Sequence, residues 1–397
     1  MTKPVRQFDV LVLGAGAAGM MAAATAGQRG RRVALVDHNP QVGRKILISG
    51  GGRANFTNRV CKAENYLSAN PHFVKSALAL YGPEHFLELV ARYRIGWHEK
   101  TLGQLFCDHS ARSIVELLVD QCREGGVEML LGARVLGVVR ESGAGFRVET
   151  TAGELDAGRL IVATGGLSIP RLGATGFGYE LARQFGLRVV EPRPALVPLV
   201  LGGAEKLWTA LAGVAAEVVV RAGKAAFREK LLVTHRGLSG PAILQASSYW
   251  QSGEPLVVDF APPEGQAARQ LLAPLLAARG RRDETAFRGA LREALPQRLA
   301  GFLAVQAAPA GWTNPCLEQT ERRLHAWEFH PTGTEGYEKA EVTAGGVDTR
   351  DLEARTMEAR RVPGLHFVGE VVDVTGWLGG YNFQWAWSSA VAAGRAV

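Results

Sequence analysis

Two apolar periods alternate along the 397-residue chain. Residues 8–13 (FDVLVL) form a short continuous apolar run, the pattern of a strand buried on both faces. The run stops at Gly14-Ala15-Gly16-Ala17-Ala18-Gly19, and an alanine-rich segment of helical character follows. Arg32 to Val36 repeats the buried-strand pattern and ends at Asp37. Residues 71–95 switch to helical spacing, broken once at Tyr81-Gly82-Pro83. Residues 96–107 then predict a β-hairpin, and 110–125 an amphipathic helix with Ile114, Leu117, Leu118 and Cys122 on one face. Residues 127–150 read as strands, with a hairpin over 144–156 that turns at Thr151-Ala152-Gly153. A further buried strand from Arg159 closes on Ala163-Thr164-Gly165-Gly166.

From Glu191 the pattern changes. Prolines cluster at Pro192, Pro194 and Pro198, and short β runs follow at 196–201, 214–221, 225–234 and 255–260. Helical segments are predicted at 265–279, 284–294 and 318–326. These mark an inserted domain over 191–330, its β part about 191–262 and its helical part about 263–330. Strand patterns resume at 341–347 and 365–370, and Thr375 to Asn382 opens a last helix, 383–395.

The candidate chemistry lies in the loops that end these runs. In the first turn Gly14 permits the bend, Gly16 lets backbone approach a pyrophosphate, and Gly19 lets the helix pack against the strand. Ala17 and Ala18 begin that helix, whose unpaired N–H groups and positive dipole end suit phosphate. Asp37 lies about 20 residues on, where a ribose-binding acid is expected; a carboxylate there favours the unphosphorylated ribose of FAD or NAD. The next stretch carries His38, Arg44, Lys45, Ser49-Gly50-Gly51-Gly52, Arg53 and Asn55. Three consecutive glycines among cations and amides suit a loop lying flat on a ligand. An apolar strand closing on Ala163-Thr164-Gly165-Gly166 is a second FAD-type motif. Gly173 to Gly178 has glycine spacing but no acid-tipped strand behind it, so no second nucleotide fold for NAD(P)H is visible. Gly369-Glu370, with Asp373 beyond, has the form of the strand-end acid that binds a ribityl chain. Gly379, Gly380, Tyr381 and Asn382 then point a helix N-terminus at the flavin pyrimidine edge, where it stabilises reduced flavin. Val135 completes the expected cofactor contacts. The predicted class is α/β: a Rossmann-like FAD-binding domain of the glutathione-reductase type, residues 1–190 and 331–397. It is interrupted by the inserted domain of β-barrel-like and helical parts.

Composition changes this picture little. Four cysteines without CxxC spacing suggest neither a disulfide framework nor a zinc site, so no metal is expected and a reducing cytoplasm is. Val10 to Gly27 is apolar, but the glycine turn within it argues against a membrane span or signal peptide. The net charge of +7 permits an anionic partner. Six basic residues against Asp37 alone fall in 28–53, beside the proposed pyrophosphate, whereas 201–330 shows only a small basic surplus and no DNA-coating stripe.

Four stretches then match a known family. SGGGRANFTN, ATGG, TGTEGYEKAEVTAGGVDTR and VGEVVDVTGWLGGYNFQWAWSSA resemble the BaiN/RdsA family (YhiN-type) of bacterial flavoproteins, over essentially the whole chain. The resemblance implies FAD bound tightly but non-covalently in a domain split by an insertion. Two departures stand out: Ala54 where the family often has Cys, which removes any thiol chemistry there, and Asp37 where Glu is commoner, which shortens the ribose-binding arm. GQLFCDHSARSIVELL and LSGPAILQASSYW look most like the branch associated with dihydrouridine in large-subunit ribosomal RNA.

That branch implies an NAD(P)H-dependent reductase acting on a uridine of 23S rRNA, with hydride delivered to C6 of the uracil and a proton to C5. Cys107, His109 and His235 are the candidate proton donors, and Trp377, Tyr381 or Trp385 either stack a flipped base or serve as helix and flavin-pocket packing. One alternative is a small-molecule flavoenzyme, either an ene-reductase or an amine oxidase releasing hydrogen peroxide. Another is a non-enzymatic RNA-binding protein with structural FAD.

Overall fold

The computed structural model describes residues 5–141, 145–262, 270–277 and 281–397. The chain divides into two compact units, Met1–Arg193 with Val342–Val397, and Pro194–Glu341. The return crossing therefore comes after Glu341 rather than near 330. The reason is local: Gly333–Thr334 pairs antiparallel with Leu199–Val200 and stays with the second unit.

In the first unit five parallel strands lie side by side, in the order Glu128–Leu131, Val33–Asp37, Arg6–Leu13, Gly153–Val162 and Leu365–Phe367. The first half of Gly153–Val162 also pairs antiparallel with Phe146–Thr150, which joins Val135–Arg140 in a meander. Val10–Leu13, Val33–Val36 and Leu160–Val162 are fully buried, as continuous apolar runs require. The helix Ala17–Gly27 packs on the sheet and against Tyr381–Ala396 and Arg112–Glu124. Small residues set the closeness: a Cβ on Gly394 would meet Thr25 Cβ at 2.6 Å, and one on Gly27 would overlap the Gly125 carbonyl. Alanine favours this helix by propensity, and its size lets two neighbours cross it nearly backbone to backbone.

The last helix, Tyr381–Ala396, is buried along almost its whole length. Trp387 stacks on Phe86 (centroids 4.5 Å apart, planes at 7°) and donates its indole N–H to the Phe56 carbonyl at 2.9 Å. A buried ring of this size stabilises the unit by about 3–5 kcal/mol relative to alanine.

The second unit is a seven-stranded antiparallel sheet, in the order Trp327–Phe329, Leu256–Asp259, Ala215–Ala222, Ala225–Val233, Gly237–Ser239, Leu199–Val200 and Gly333–Thr334. Ala215–Ala222 alternates exposed and buried positions, one face to solvent and one to a core centred on Trp208, Phe260 and Phe329. Helices Glu284–Ala294, Gln297–Gln306 and Asn314–His325 belong to this unit. Of the helix predicted over 265–279, residues 265–269 and 278–279 lie outside the described residues; between them lies the short helix Ala273–Leu276.

A buried polar knot ties helices to sheet here. Glu321 accepts the N–H groups of Leu271 and Leu272, each at 2.7 Å. His325 bridges Asp259 (Nδ1, 2.9 Å) and Glu321 (Nε2, 3.1 Å). The hydrogen bonds to Asp259 and then Glu321 raise the His325 pKa to about 10. A histidine whose folded pKa is raised stabilises the fold fully below its unfolded pKa, about 6.5, and loses that contribution as pH climbs through the folded value. Thermal melts of wild type and His325→Gln between pH 6 and pH 10.5 should show a gap in Tm that narrows steadily with rising pH. A constant gap would contradict the assignment.

Candidate flavin site

Four loops gather at the carboxyl edge of the parallel strands, where open α/β sheets bind their ligands. Backbone hydrogen bonds stitch that edge: Gly14 N–H to Val36 O (2.8 Å), Ala163 N–H to Leu13 O (2.8 Å) and Val368 N–H to Val162 O (3.0 Å). Gly14, at φ +107°, has no room for a side chain, since a Cβ would sit 2.5 Å from the Ala163 carbonyl oxygen. A Cβ on Gly19 would overlap the Gly14 carbonyl, and one on Gly369 would meet Ala18 Cβ at 2.8 Å. Gly16 is the opposite case. It precedes Ala17 at the start of helix Ala17–Gly27, has no side chain to cap it, and a Cβ there would meet nothing within 4 Å. Uncapped helix N–H groups opening on free space fit a dinucleotide pyrophosphate.

Asp37 accepts the backbone N–H of Ala15 (2.6 Å) and of Asn39 (2.7 Å), so its carboxylate pins the glycine turn. Two oxygens offer about four acceptor positions, which leaves capacity for ribose hydroxyls. His38 is exposed beside it. Arg44 donates to Asn39 Oδ1 (2.6 Å) and Leu172 O (2.9 Å), a brace between two loops. Val135 heads its strand two residues after Ala133, whose N–H bonds to the Asp37 carbonyl at 2.9 Å.

Between Ser49 and Arg53 the backbone of Gly50, Gly51 and Gly52 is left-handed, at φ +57°, +67° and +83°. Only glycine takes this backbone freely, and three in a row make a side-chain-free glycine nest that an anionic ligand can approach closely. The Phe106 ring lies 2.8 Å from where a Gly50 Cβ would be, whereas Gly51, like Gly165 at φ +76°, faces open space. Arg53 is exposed at the end of this nest, and Ala54 is fully buried.

Lys45 and Glu370 form an ion pair (2.7 Å) that Ser168 closes into a triangle. Lys45 Nζ donates to Ser168 Oγ (2.6 Å), Ser168 Oγ to Glu370 Oε1 (3.0 Å), and Thr343 N–H to the same oxygen (2.8 Å). Thr343 Oγ1 in turn accepts the N–H groups of Leu167 and Ser168, and a Cβ on Gly166 would sit 2.7 Å from Glu370. Ser168 and Thr343 did not stand out in the sequence. Proximity of Ser168 to the Ala163–Gly166 motif was the one available signal. Thr164 Oγ1 is buried without a hydrogen-bond partner. Asp373 is buried, accepts the Ala69 N–H at 3.1 Å, and has its carboxyl pKa raised by that burial.

The start of the last helix is fixed from both sides. A Cβ on Gly380 would overlap the Thr57 carbonyl. Asn55, with its amide turned to satisfy its neighbours, accepts Gly380 N–H (3.1 Å) and donates to Leu105 O (3.2 Å). Asn58 Nδ2 donates to Gly379 O (2.9 Å), and Asn382 clamps both backbone groups of Gly376. Tyr381 meets Tyr66 edge to face at 6.2 Å.

The candidate proton donors part ways. Cys107 is 1% exposed, and burial above all pushes its thiol up to about 12. It is a core residue rather than a donor to substrate. His109 is exposed, on a loop bonded to the glycine nest through Cys107 N–H to Arg53 O (2.9 Å) and Ala111 N–H to Gly52 O (2.8 Å). His235 is exposed on the second unit, in the turn between Ala225–Val233 and Gly237–Ser239. Trp385, 1% exposed with its indole N–H on the Gly369 carbonyl (3.0 Å), cannot stack a base. Trp377 is partly exposed and packs against Tyr381 at 6.3 Å.

The family description "HI0933-like protein Rossmann domain" matches residues 8–396. The chain belongs to the HI0933-like family. Within it, the chain is 49% identical to the Escherichia coli (strain K12) ribosomal RNA dihydrouridine synthase, across 98% of each. It is 31% identical to the Clostridium scindens 3-dehydro-bile acid delta(4,6)-reductase, across 97% of this chain and 98% of that one. Among solved structures, a Rhodococcus jostii 3-ketosteroid-delta4-(5alpha)-dehydrogenase shares the fold at a TM-score of 0.51 and 15% identity, covering 99% of this chain and 98% of that one. This HI0933-like chain is an enzyme, an oxidoreductase of the flavoprotein class, and the non-enzymatic reading falls away. Among the described residues no helix is long and apolar enough to cross a membrane.

Two substitutions test the site. Gly16→Ala should leave the flavin-free protein as stable as wild type yet weaken flavin binding by about tenfold or more, read by fluorescence titration. Glu370→Gln should lower stability by about 1–3 kcal/mol in denaturant melts, because it leaves Lys45 and the Thr343 N–H short of an acceptor.

Proposed function

We propose that this enzyme reduces uridine to dihydrouridine in 23S ribosomal RNA, holding FAD non-covalently and taking electrons from NAD(P)H as a transient co-substrate. The identity of 49% across 98% of each chain to the E. coli enzyme carries the reading. The glycine cradle at Gly14–Gly19, the nest at Gly50–Gly52 and the helix opening at Gly380 supply the donor set that an FAD molecule needs. Bound FAD would supply hydride transfer from the nicotinamide to C6 of the uracil.

The chain's own residues have three tasks. Helix Ala17–Gly27 and the glycine nest bind the anionic part of the cofactor, and Lys45 with Glu370 holds their two loops at a fixed spacing. The last helix presents its positive N-terminal end through Gly379 and Gly380. A proton donor must reach C5, and His109 is the best placed of the three candidates, being exposed on the loop bonded to Gly52 and Arg53. The place of work is the cytoplasm.

The bile-acid reductase relative favours a second reading, a small enone in place of uridine, with the same type of bond reduced. Mass spectrometry of rRNA incubated with enzyme, FAD and NADPH decides between them; rRNA that gains no dihydrouridine overturns the first reading. His109→Ala should slow dihydrouridine formation by about 10²–10⁴-fold while NADPH still bleaches the flavin at the wild-type rate. Cys107→Ala should leave both steps intact.

A further inference from the structure

The hairpin of Trp97–Glu99 and Gln104–Cys107 ends in a turn that ordinary stability does not account for. Leu102, at its tip, is 63% exposed and sits in left-handed backbone (φ +58°, ψ +31°). A leucine meets resistance twice there, from its own backbone and from water, and such conformations persist only where neighbours impose them. They do so here. Asn58 Nδ2 donates to Leu102 O (3.0 Å), Arg59 N–H to Gly103 O (2.7 Å) and Lys100 N–H to Gln104 O (2.8 Å). Val60, the residue after Arg59, is 52% exposed as well.

Two cations sit on aromatic rings of the same hairpin. The Arg59 guanidinium lies 5.2 Å from the Trp97 ring centre and also pairs with Glu99, and Lys100 Nζ lies 4.0 Å from the Phe106 ring centre. A hairpin that carries an apolar tip and, along its strands, cations seated on aromatic rings offers one contact for stacked bases and others for the neighbouring phosphates. Position adds the last element. The Asn58 amide that holds Leu102 O also bonds Gly379 O (2.9 Å), so the tip is tied directly to the loop that opens the last helix.

We propose that Leu102 is a wedge that enters the base stack of the RNA substrate and replaces the uridine that leaves it, while Arg59 and Lys100 take the flanking phosphates. This rests on the RNA reading above. The wedge delivers the displaced base beside the flavin-edge loop and makes structured RNA a better substrate than its base-pairing alone would allow.

Leu102→Gly tests this without endangering the fold, because glycine accepts the left-handed backbone freely. The probes are an RNA hairpin with 2-aminopurine next to the target uridine, and unstructured oligouridine, each mixed with FAD-loaded enzyme. Wild type should raise the 2-aminopurine fluorescence. Leu102→Gly should not, and its dihydrouridine yield should fall about tenfold or more on the hairpin while matching wild type on oligouridine. Lys100→Gln should flatten the salt dependence of hairpin binding by about 0.7–0.9 in log–log slope. The wedge is overturned if wild type leaves the fluorescence unchanged, or if Leu102→Gly raises it equally. An unchanged slope in Lys100→Gln overturns the phosphate contact. Unstacking by wild type with no dihydrouridine in either RNA would remove the synthase reading and leave the wedge standing.

Discussion

The backbone of Gly14 runs between a strand end and a helix with no room for a side chain toward either. On one side stands the Ala163 carbonyl of the neighbouring strand; on the other, Gly19 of the helix presses on Gly14's own carbonyl. Close packing at this point sets the height of the helix over the sheet, and with it the distance between the helix N-terminus and the loops that follow Val162 and Phe367. Gly369 against Ala18 repeats the constraint from the far end of the chain. Nothing in the site can be positioned independently of these contacts, since interiors packed to this density transmit displacement rather than absorb it.

Glu370 gives the second constraint its polar form. A strand-end acid in this position reads as a ligand for the cofactor, yet its two oxygens are already engaged by Lys45, Ser168 and the Thr343 backbone. Three remote segments therefore meet on one carboxylate. Asp37 behaves in the same way toward Ala15 and Asn39. Both acids shape the site first, and any cofactor contact uses the acceptor capacity that remains. This division of labour makes the site stiff before a ligand arrives, which reduces the ordering that binding must pay for.

Glycines at fixed spacing made the first turn, the Ala163–Gly166 strand end and the Gly379–Gly380 helix opening legible, because a glycine required by geometry leaves the same mark in any context. The hairpin at 96–107 was legible as well, but not the strain at Leu102, since one left-handed residue disturbs no periodicity. Lys45 was visible as a cation near a ligand loop, whereas its partner lies 325 positions away and no local pattern could join them. Trp385 takes the packing role and not the stacking one, a choice the sequence leaves open because an aromatic near a helix start looks alike whether it faces a ligand or a core. The return crossing was placed too early because Gly333–Thr334 is a two-residue strand, too short to register as alternation.

The interruption of the first unit also has a bearing on how the chain is made. Pro194–Glu341 is continuous and can fold as soon as it has been synthesised, whereas the first unit waits for Val342–Val397. Until then the groove that receives Trp387, lined by Phe56 and Phe86, and the face of Ala17–Gly27 that receives Tyr381–Ala396 stand open to water. At translation rates of about 5–20 residues per second, the intervening segment alone adds roughly seven to thirty seconds to the time that apolar surface stays uncovered. The protein is thus most exposed to chaperones and to aggregation during its own synthesis, in the unit that holds the candidate flavin site.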